Sequence, residues 1–222
     1  GVQILEATTL DSMVFLNRGT RFEAMPLPVE AQFSTAFGVS VADWDGDGRE
    51  DLFLAQNFFG VDAETSRQDA GTGLVLLGDG RGGFRALSPL ESGVFIPGEQ
   101  RGCAVADFDQ DGRVDVAVGQ NAGAVQLLRN VGGRPGRRVE LRGPRGNSSA
   151  IGAAVRLRWE GGYGPVREIH AGTGYGSQDS LVLTLGSPTE PRAVEVRWPG
   201  GTRREYPWPS GAMRHRIGVE GP

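Results

Sequence analysis

Val41-Ala42-Asp43-Trp44-Asp45-Gly46-Asp47-Gly48-Arg49-Glu50-Asp51-Leu52 returns 64 residues later as Val105-Ala106-Asp107-Phe108-Asp109-Gln110-Asp111-Gly112-Arg113-Val114-Asp115-Val116. A second pair of segments keeps the same rhythm. Val14-Phe15-Leu16-Asn17-Arg18-Gly19, then Phe22, matches Val75-Leu76-Leu77-Gly78-Asp79-Gly80, then Phe84. A third copy begins at Val125-Gln126-Leu127-Leu128 and stops. The first half therefore holds two units, each of roughly 50–60 residues. Gly38–Ala42 and Leu52–Gln56 read as strands around the first aspartate loop, and Cys103–Ala106 and Val116–Gln120 as strands around the second. Units of this size made of short strands fit propeller blades of about four strands. A ring needs about four to eight blades. Either further blades lie upstream, the reading adopted here, or the two units pack as an open sheet. Between them Phe58–Thr72 is a long polar connection, a surface insertion or a recognition loop.

Each loop spans nine residues, with carboxylates at positions one, three, five and nine and glycine at position six. Alternate side chains of a tight loop converge, and glycine permits the sharp turn behind them. Position seven, Arg49 or Arg113, would offer its backbone carbonyl while its side chain points outward. Such an oxygen-only donor set suits a hard cation, and Ca²⁺ above Mg²⁺, which keeps more of its own water. No His or Cys cluster favours zinc. Two carboxylates about 5 Å apart repel by roughly 3 kcal/mol at an effective dielectric near 20, so four in one loop call for a cation. Two Ca²⁺ ions would also cancel the net charge of −4. An EF-hand is excluded, because position twelve is Leu54 or Val118 and the flanks are strands.

With Phe37-Gly38 before the first loop and Gly123-Ala124-Val125 after the second, the first half resembles FG-GAP/VCBS-type calcium repeats, known from integrin α-subunit propellers and bacterial surface proteins. That resemblance implies Asp43, Asp45, Asp47, Asp51, Asp107, Asp109, Asp111 and Asp115 as ligands of about two Ca²⁺ ions, which we read as structural staples.

Charge divides the chain. Residues 1–130 carry −10 and residues 131–222 carry +6, with a Gly/Pro/Arg-rich stretch, Val131–Gly136, at the break. We therefore expect two domains, 1–133 and 134–222. In the second, Arg138–Arg142, Ile151–Trp159, Val166–Ala171, Leu181–Leu185, Ala193–Trp198 and Thr202–Tyr206 read as strands, and Gly161-Gly162 and Pro199-Gly200-Gly201 as hairpin turns. The expected fold class is all-β: a partial propeller followed by an antiparallel sandwich or barrel-like module. Asn147, then Ala150-Ile151-Gly152-Ala153, Gly172-Thr173-Gly174-Tyr175-Gly176-Ser177-Gln178 and Val194-Glu195-Val196-Arg197-Trp198-Pro199-Gly200-Gly201, taken in order, resemble the ASPIC/UnbV module. That module typically follows VCBS repeats in proteins similar to cartilage acidic protein, and it implies an architecture more than an activity.

Other features read as structural. Gly172–Ser177 lacks the lysine and helix of a phosphate loop. His170 and His215, the two histidines, have no nucleophile motif beside them. Cys103 sits in an apolar strand pattern as a small buried hydrophobe. Trp44 and Phe108, at position two of the loops, are expected to pack between units. Asn147-Ser148-Ser149 is a formal glycosylation sequon. The arginines of the second half alternate along strands among acids, which argues against nucleic acid. No apolar run reaches the length of a membrane helix. The chain opens on Gly1 without a signal-peptide pattern, so a mature chain or a fragment is expected. No catalytic residues are assigned. The expectation is an extracellular, cell-surface or periplasmic calcium-binding scaffold for adhesion or for a protein or glycan partner. The alternative is an enzyme with its pocket in the central channel of a complete propeller.

Overall fold

The computed structural model of the chain describes residues 5–219; Gly1, on which the mature-or-fragment expectation rests, lies outside them. The protein is all-β. β1 (Met13–Asn17) and β2 (Phe22–Pro26) form a hairpin, followed by a four-stranded antiparallel meander of β3 (Ala36–Ala42), β4 (Asp51–Gln56), β5 (Leu74–Gly78) and β6 (Phe84–Ala86). β7 (Gln100–Ala106), β8 (Asp115–Gln120) and β9 (Gly123–Leu128) make a three-stranded sheet. The loop-bearing hairpin of each unit keeps the 64-residue register. Ala42 pairs with Asp51 and Ala106 with Asp115, and each hairpin has a bulge near the start of its first strand.

The meander is covered on both faces, which is why β4 is apolar almost throughout. On one side Leu54, Leu74 and Leu76 pack with Leu27, Ala31 and Val14 of the preceding segment. On the other, Trp44, Phe53 and Val75 share a core with Cys103, Val116 and Val118 of the next sheet. Trp44 thus packs between the units as expected, whereas Phe108 is 68% exposed. Cys103 is buried and receives the Ser40 hydroxyl at 3.1 Å, and burial pushes its thiol up. β9 is exposed along nearly its whole length.

The second half is a two-layer sandwich. One layer is β10 (Arg137–Arg142) flanked by β14 (Val182–Leu185) and β17 (Arg214–Gly218). The other contains β11 (Ala154–Trp159), β12 (Gly162–Tyr163), β13 (Arg167–Glu168), β15 (Ala193–Arg197) and β16 (Arg203–Pro207). Val139, Val155, Leu157, Val194, Trp198, Tyr206 and Ile217 make the shared core. One pairing departs from the antiparallel expectation: β10 and β17 run parallel. A parallel pair needs a long crossover, and here everything between the module's first and last strands supplies it. Two strands are shorter than expected by more than one residue. Residues 151–153 belong to a turn in which Ala150 and Gly152 are left-handed, and only Arg167–Glu168 of the segment 166–171 pairs.

The sandwich covers the ends of two edge strands of the first half, β3 and β7. Ser180 N–H donates to the Val105 carbonyl at 2.8 Å, and Val105 N–H donates to Asp179 Oδ1 at 2.8 Å. Arg167 donates to the Val41 carbonyl of β3 and, at 2.7 Å, to Glu50. An uncovered edge would invite pairing with another chain; these contacts occupy the ends of β3 and β7, while the outer strand β9 stays exposed. The module's arginines pair with neighbouring acids, as in Arg158–Glu205 and Arg156–Glu195. Among the described residues no helix is long and apolar enough to cross a membrane.

Candidate metal centre

Both aspartate loops connect the paired ends of a hairpin, β3–β4 or β7–β8, so strand pairing fixes positions one and nine beside each other. The turn between them needs left-handed backbone at positions four and six. Gly46 and Gly48 have φ of 74° and 90°; Gln110 and Gly112 have 64° and 87°. Glycine at position six was readable in the sequence as a requirement. The matching requirement at position four was not, because Gln110 meets it without being glycine.

The carboxylates organise the loop backbone. Asp43 Oδ1 accepts from Gly46 N–H (2.7 Å) and Asp47 N–H (3.0 Å), and Oδ2 accepts from Gly48 N–H (2.7 Å). Asp51 accepts from Trp44 N–H on one oxygen (2.7 Å) and Gly78 N–H on the other (2.8 Å). In the second loop Asp107 accepts from Gly112 N–H (3.0 Å), and Asp115 from Phe108 N–H and Asn130 N–H, both at 2.8 Å. Position nine therefore ties each loop to the end of the third strand of its unit.

Three of the four carboxylates in each loop come together. Asp43, Asp45 and Asp51 each offer an oxygen within 4.8 Å of the others, and so do Asp107, Asp109 and Asp115. Asp47 and Asp111 stand outside these groups. Each accepts from the N–H of the arginine two residues on and pairs with its guanidinium at 2.8 Å. Arg49 thereby points to solvent, and Arg113 reaches the Gly133 carbonyl.

Electrostatics separates the loops. Burial pushes Asp43 up to about 6 and Asp51 up to about 7; backbone N–H groups oppose this, and neighbouring loop aspartates add to it. Burial also raises Asp107, but Arg138, 3.3 Å from its Oδ2, pulls the other way. Arg129 pairs with Asp109 and Asp111. The second loop thus carries arginine counter-charge on its own clustered carboxylates, while the first does not. Asp107 Oδ1 is buried without a hydrogen-bond partner among the described residues. An orphaned buried carboxylate oxygen beside two further carboxylates, with no nitrogen or sulfur donor present, fits a hard divalent cation. Bound there, the ion would supply charge neutralisation and cross-linking of the loop.

Arg129, Asn130 and Arg138 were invisible to sequence reasoning as loop partners, since each meets its aspartate only through the fold. The broken-off third copy at Val125–Leu128, which ends beside them, was the one signal near by. The two histidines do not converge with a nucleophile. His170 is exposed and 3.8 Å from Glu168, while His215 packs edge-on against Trp208 in the module, its pKa lowered by burial.

No curated protein sequence matches the chain. Residues 143–219, the sandwich without β10 and beyond both aspartate loops, match the family described as ASPIC and UnbV.

Proposed function

We propose that the chain is a calcium-binding, extracytoplasmic repeat protein in which FG-GAP/VCBS-type units, part of a larger propeller, form a scaffold with the ASPIC/UnbV domain. The observation that carries this reading is the pair of three-carboxylate groups at equivalent points of a repeat. Asp47 and Asp111 would join the ligands through water or by releasing their arginines, and the Arg49 and Arg113 carbonyls would complete the set. Loops of this kind suit the exterior of the cell, where dissociation constants of about 10⁻⁴–10⁻³ M suffice. The scaffold would bind a protein or glycan in adhesion. The Phe58–Thr72 segment supports a recognition role: it folds back on itself through a Phe58–Gln68 bridge and presents Arg67 4.0 Å over Phe59.

The enzyme alternative would place its pocket in the central channel of a complete propeller; the cleft of about 540 Å³ that these residues form lies instead between β3, β7 and the sandwich. Three of the acids lining this cleft have pKa values raised by burial: Glu50, engaged by Arg167; Asp179, engaged by Val105 N–H; and Asp107, which belongs to the second aspartate loop. Glu50 and Asp179 serve packing, which favours the scaffold.

The test is thermal unfolding in millimolar Ca²⁺ against EGTA, with Mg²⁺ as control. At ten times its dissociation constant each ion should add about 1.4 kcal/mol, a shift of several degrees for a chain of this size. The rise should shrink by half in Asp45→Asn and vanish when Asp109→Asn is added. An equal response to Mg²⁺, or none, would overturn the calcium reading.

A pH dependence follows from the first loop. The folded-state pKa values of Asp43 and Asp51 stand above the ordinary 3.8. The metal-free fold therefore binds protons that the unfolded chain has released, and its stability falls as pH rises from about 4 through 7. In EGTA the melting temperature should drop from pH 5 to pH 7.5, and saturating Ca²⁺ should flatten or reverse that slope. Parallel slopes in the two conditions would show that the carboxylates do not hold the ion.

A further inference from the structure

The face that carries both aspartate loops is also the face on which the rest of the chain is seated. Leaving β9, the chain crosses first one loop and then the other. Asn130 N–H donates to Asp115 Oδ1 at 2.8 Å, and its side-chain amide donates to the Trp44 carbonyl at 2.7 Å. Arg134 N–H donates to the Asp45 carbonyl at 2.9 Å and Gly136 N–H to the Gly112 carbonyl at 2.7 Å. Arg138, the second residue of β10, then lies 3.3 Å from Asp107. The sandwich completes the seat from the other side. Gly186, just after β14, is so close to the first loop that a Cβ on it would stand 1.7 Å from Asp43 Oδ2. A Cβ on Gly48 would stand 3.0 Å from Pro188 and 3.6 Å from Trp159.

Almost every one of these contacts is made to a loop carbonyl or loop carboxylate, whose position depends on how tightly the loop is drawn together. Without a cation the three clustered carboxylates repel, with no arginine to relieve them in the first loop and with partial relief from Arg129 and Arg138 in the second, and the repulsion works to open the loop. Asp43 cannot move outward without displacing residue 186, and the Trp44, Asp45 and Gly112 carbonyls cannot shift without losing Asn130, Arg134 and Gly136. Resting on the calcium reading above, we infer that the two loops are the docking surface for residues 137–219 and that cation occupancy controls this docking. The closed loop and the seated sandwich favour one another, so each strengthens the other by the same factor. Arg167, which reaches Glu50 and Val41 from the sandwich without touching a clustered carboxylate, is a second fastening of the same interface.

The experiment reads binding and docking separately on the whole chain. Calcium binding is followed by titration calorimetry. Docking is followed by small-angle scattering and by trypsin cleavage at Arg129, which lies between β9 and the linker. For the unaltered chain, millimolar Ca²⁺ should slow this cleavage at least tenfold relative to EGTA and reduce the radius of gyration. Gly186→Ala should still bind two ions, about five- to tenfold more weakly, and should be cleaved at nearly the same rate in both conditions. Arg167→Ala, which frees Glu50 but leaves every clustered carboxylate untouched, should shift affinity and cleavage in the same directions by less. Calcium binding with no change in cleavage or scattering would overturn the coupling and leave the metal sites standing. Absence of calcium binding by a folded chain would overturn both readings.

Discussion

Replacing Asp51 by alanine should cost about 2–6 kcal/mol and remove one calcium ion. The carboxylate is 1% exposed and accepts two backbone N–H groups on opposite oxygens, from Trp44 at 2.7 Å and Gly78 at 2.8 Å. Alanine leaves both donors buried without partners, at about 1–3 kcal/mol each. In EGTA part of this loss is offset, because the variant also removes a charge repelled by Asp43 and Asp45. The destabilisation should therefore be larger in calcium than in chelator, an ordering that a purely structural role would not produce. Urea unfolding in both conditions and calorimetric stoichiometry would measure it. A near-neutral variant that still binds two ions would remove Asp51 from the site.

Trp198→Ala should destabilise the sandwich by about 3–5 kcal/mol, the range for truncating a fully packed large aromatic. Trp198 is 2% exposed just after β15, and its indole Nε1 donates to the Tyr206 hydroxyl at 3.1 Å. The core it fills, with Val155, Leu157, Val194 and Ile217, is separate from the two cores of the first half. A thermal scan should show the sandwich melting first, ahead of the repeats, where the unaltered chain unfolds more cooperatively. Tyr206→Phe, which removes only the acceptor, should cost about 1–3 kcal/mol. Equal losses from the two variants would mean that the hydrogen bond, and not the packing, holds the indole.

Legibility followed the range of the interaction. The repeat was readable because the 64-residue offset is written in side chains, and it survives in the pairing of Ala42 with Asp51 and Ala106 with Asp115. Strand ends were less so: β3 and β7 each begin at least two residues before their apolar pattern, at Ala36 and Gln100. Pairing partners, not local preference, set those limits. The expected strand Ile151–Trp159 starts three residues late, at Ala154, for a related reason. An apolar run can lie in a turn when Ala150 and Gly152 adopt left-handed backbone and Asn147 bonds back to Ile151 at 3.0 Å. The parallel β10–β17 pair was beyond reach, since nothing local records the direction in which two strands 76 residues apart will meet.

By itself the sequence determined that this protein is all-β, that it contains a repeated hairpin, and that each hairpin carries a loop of convergent carboxylates turned by glycine. These are properties of residues a few positions apart, where alternation, turn chemistry and charge spacing act directly. Only the tertiary structure decided that Arg129 and Arg138 give the second loop a counter-charge the first lacks, and that the sandwich sits on both loops. Those outcomes depend on groups up to 143 residues apart, such as Asp43 and Gly186. Burial and Coulomb interaction at such separations exist only once the chain has closed upon itself.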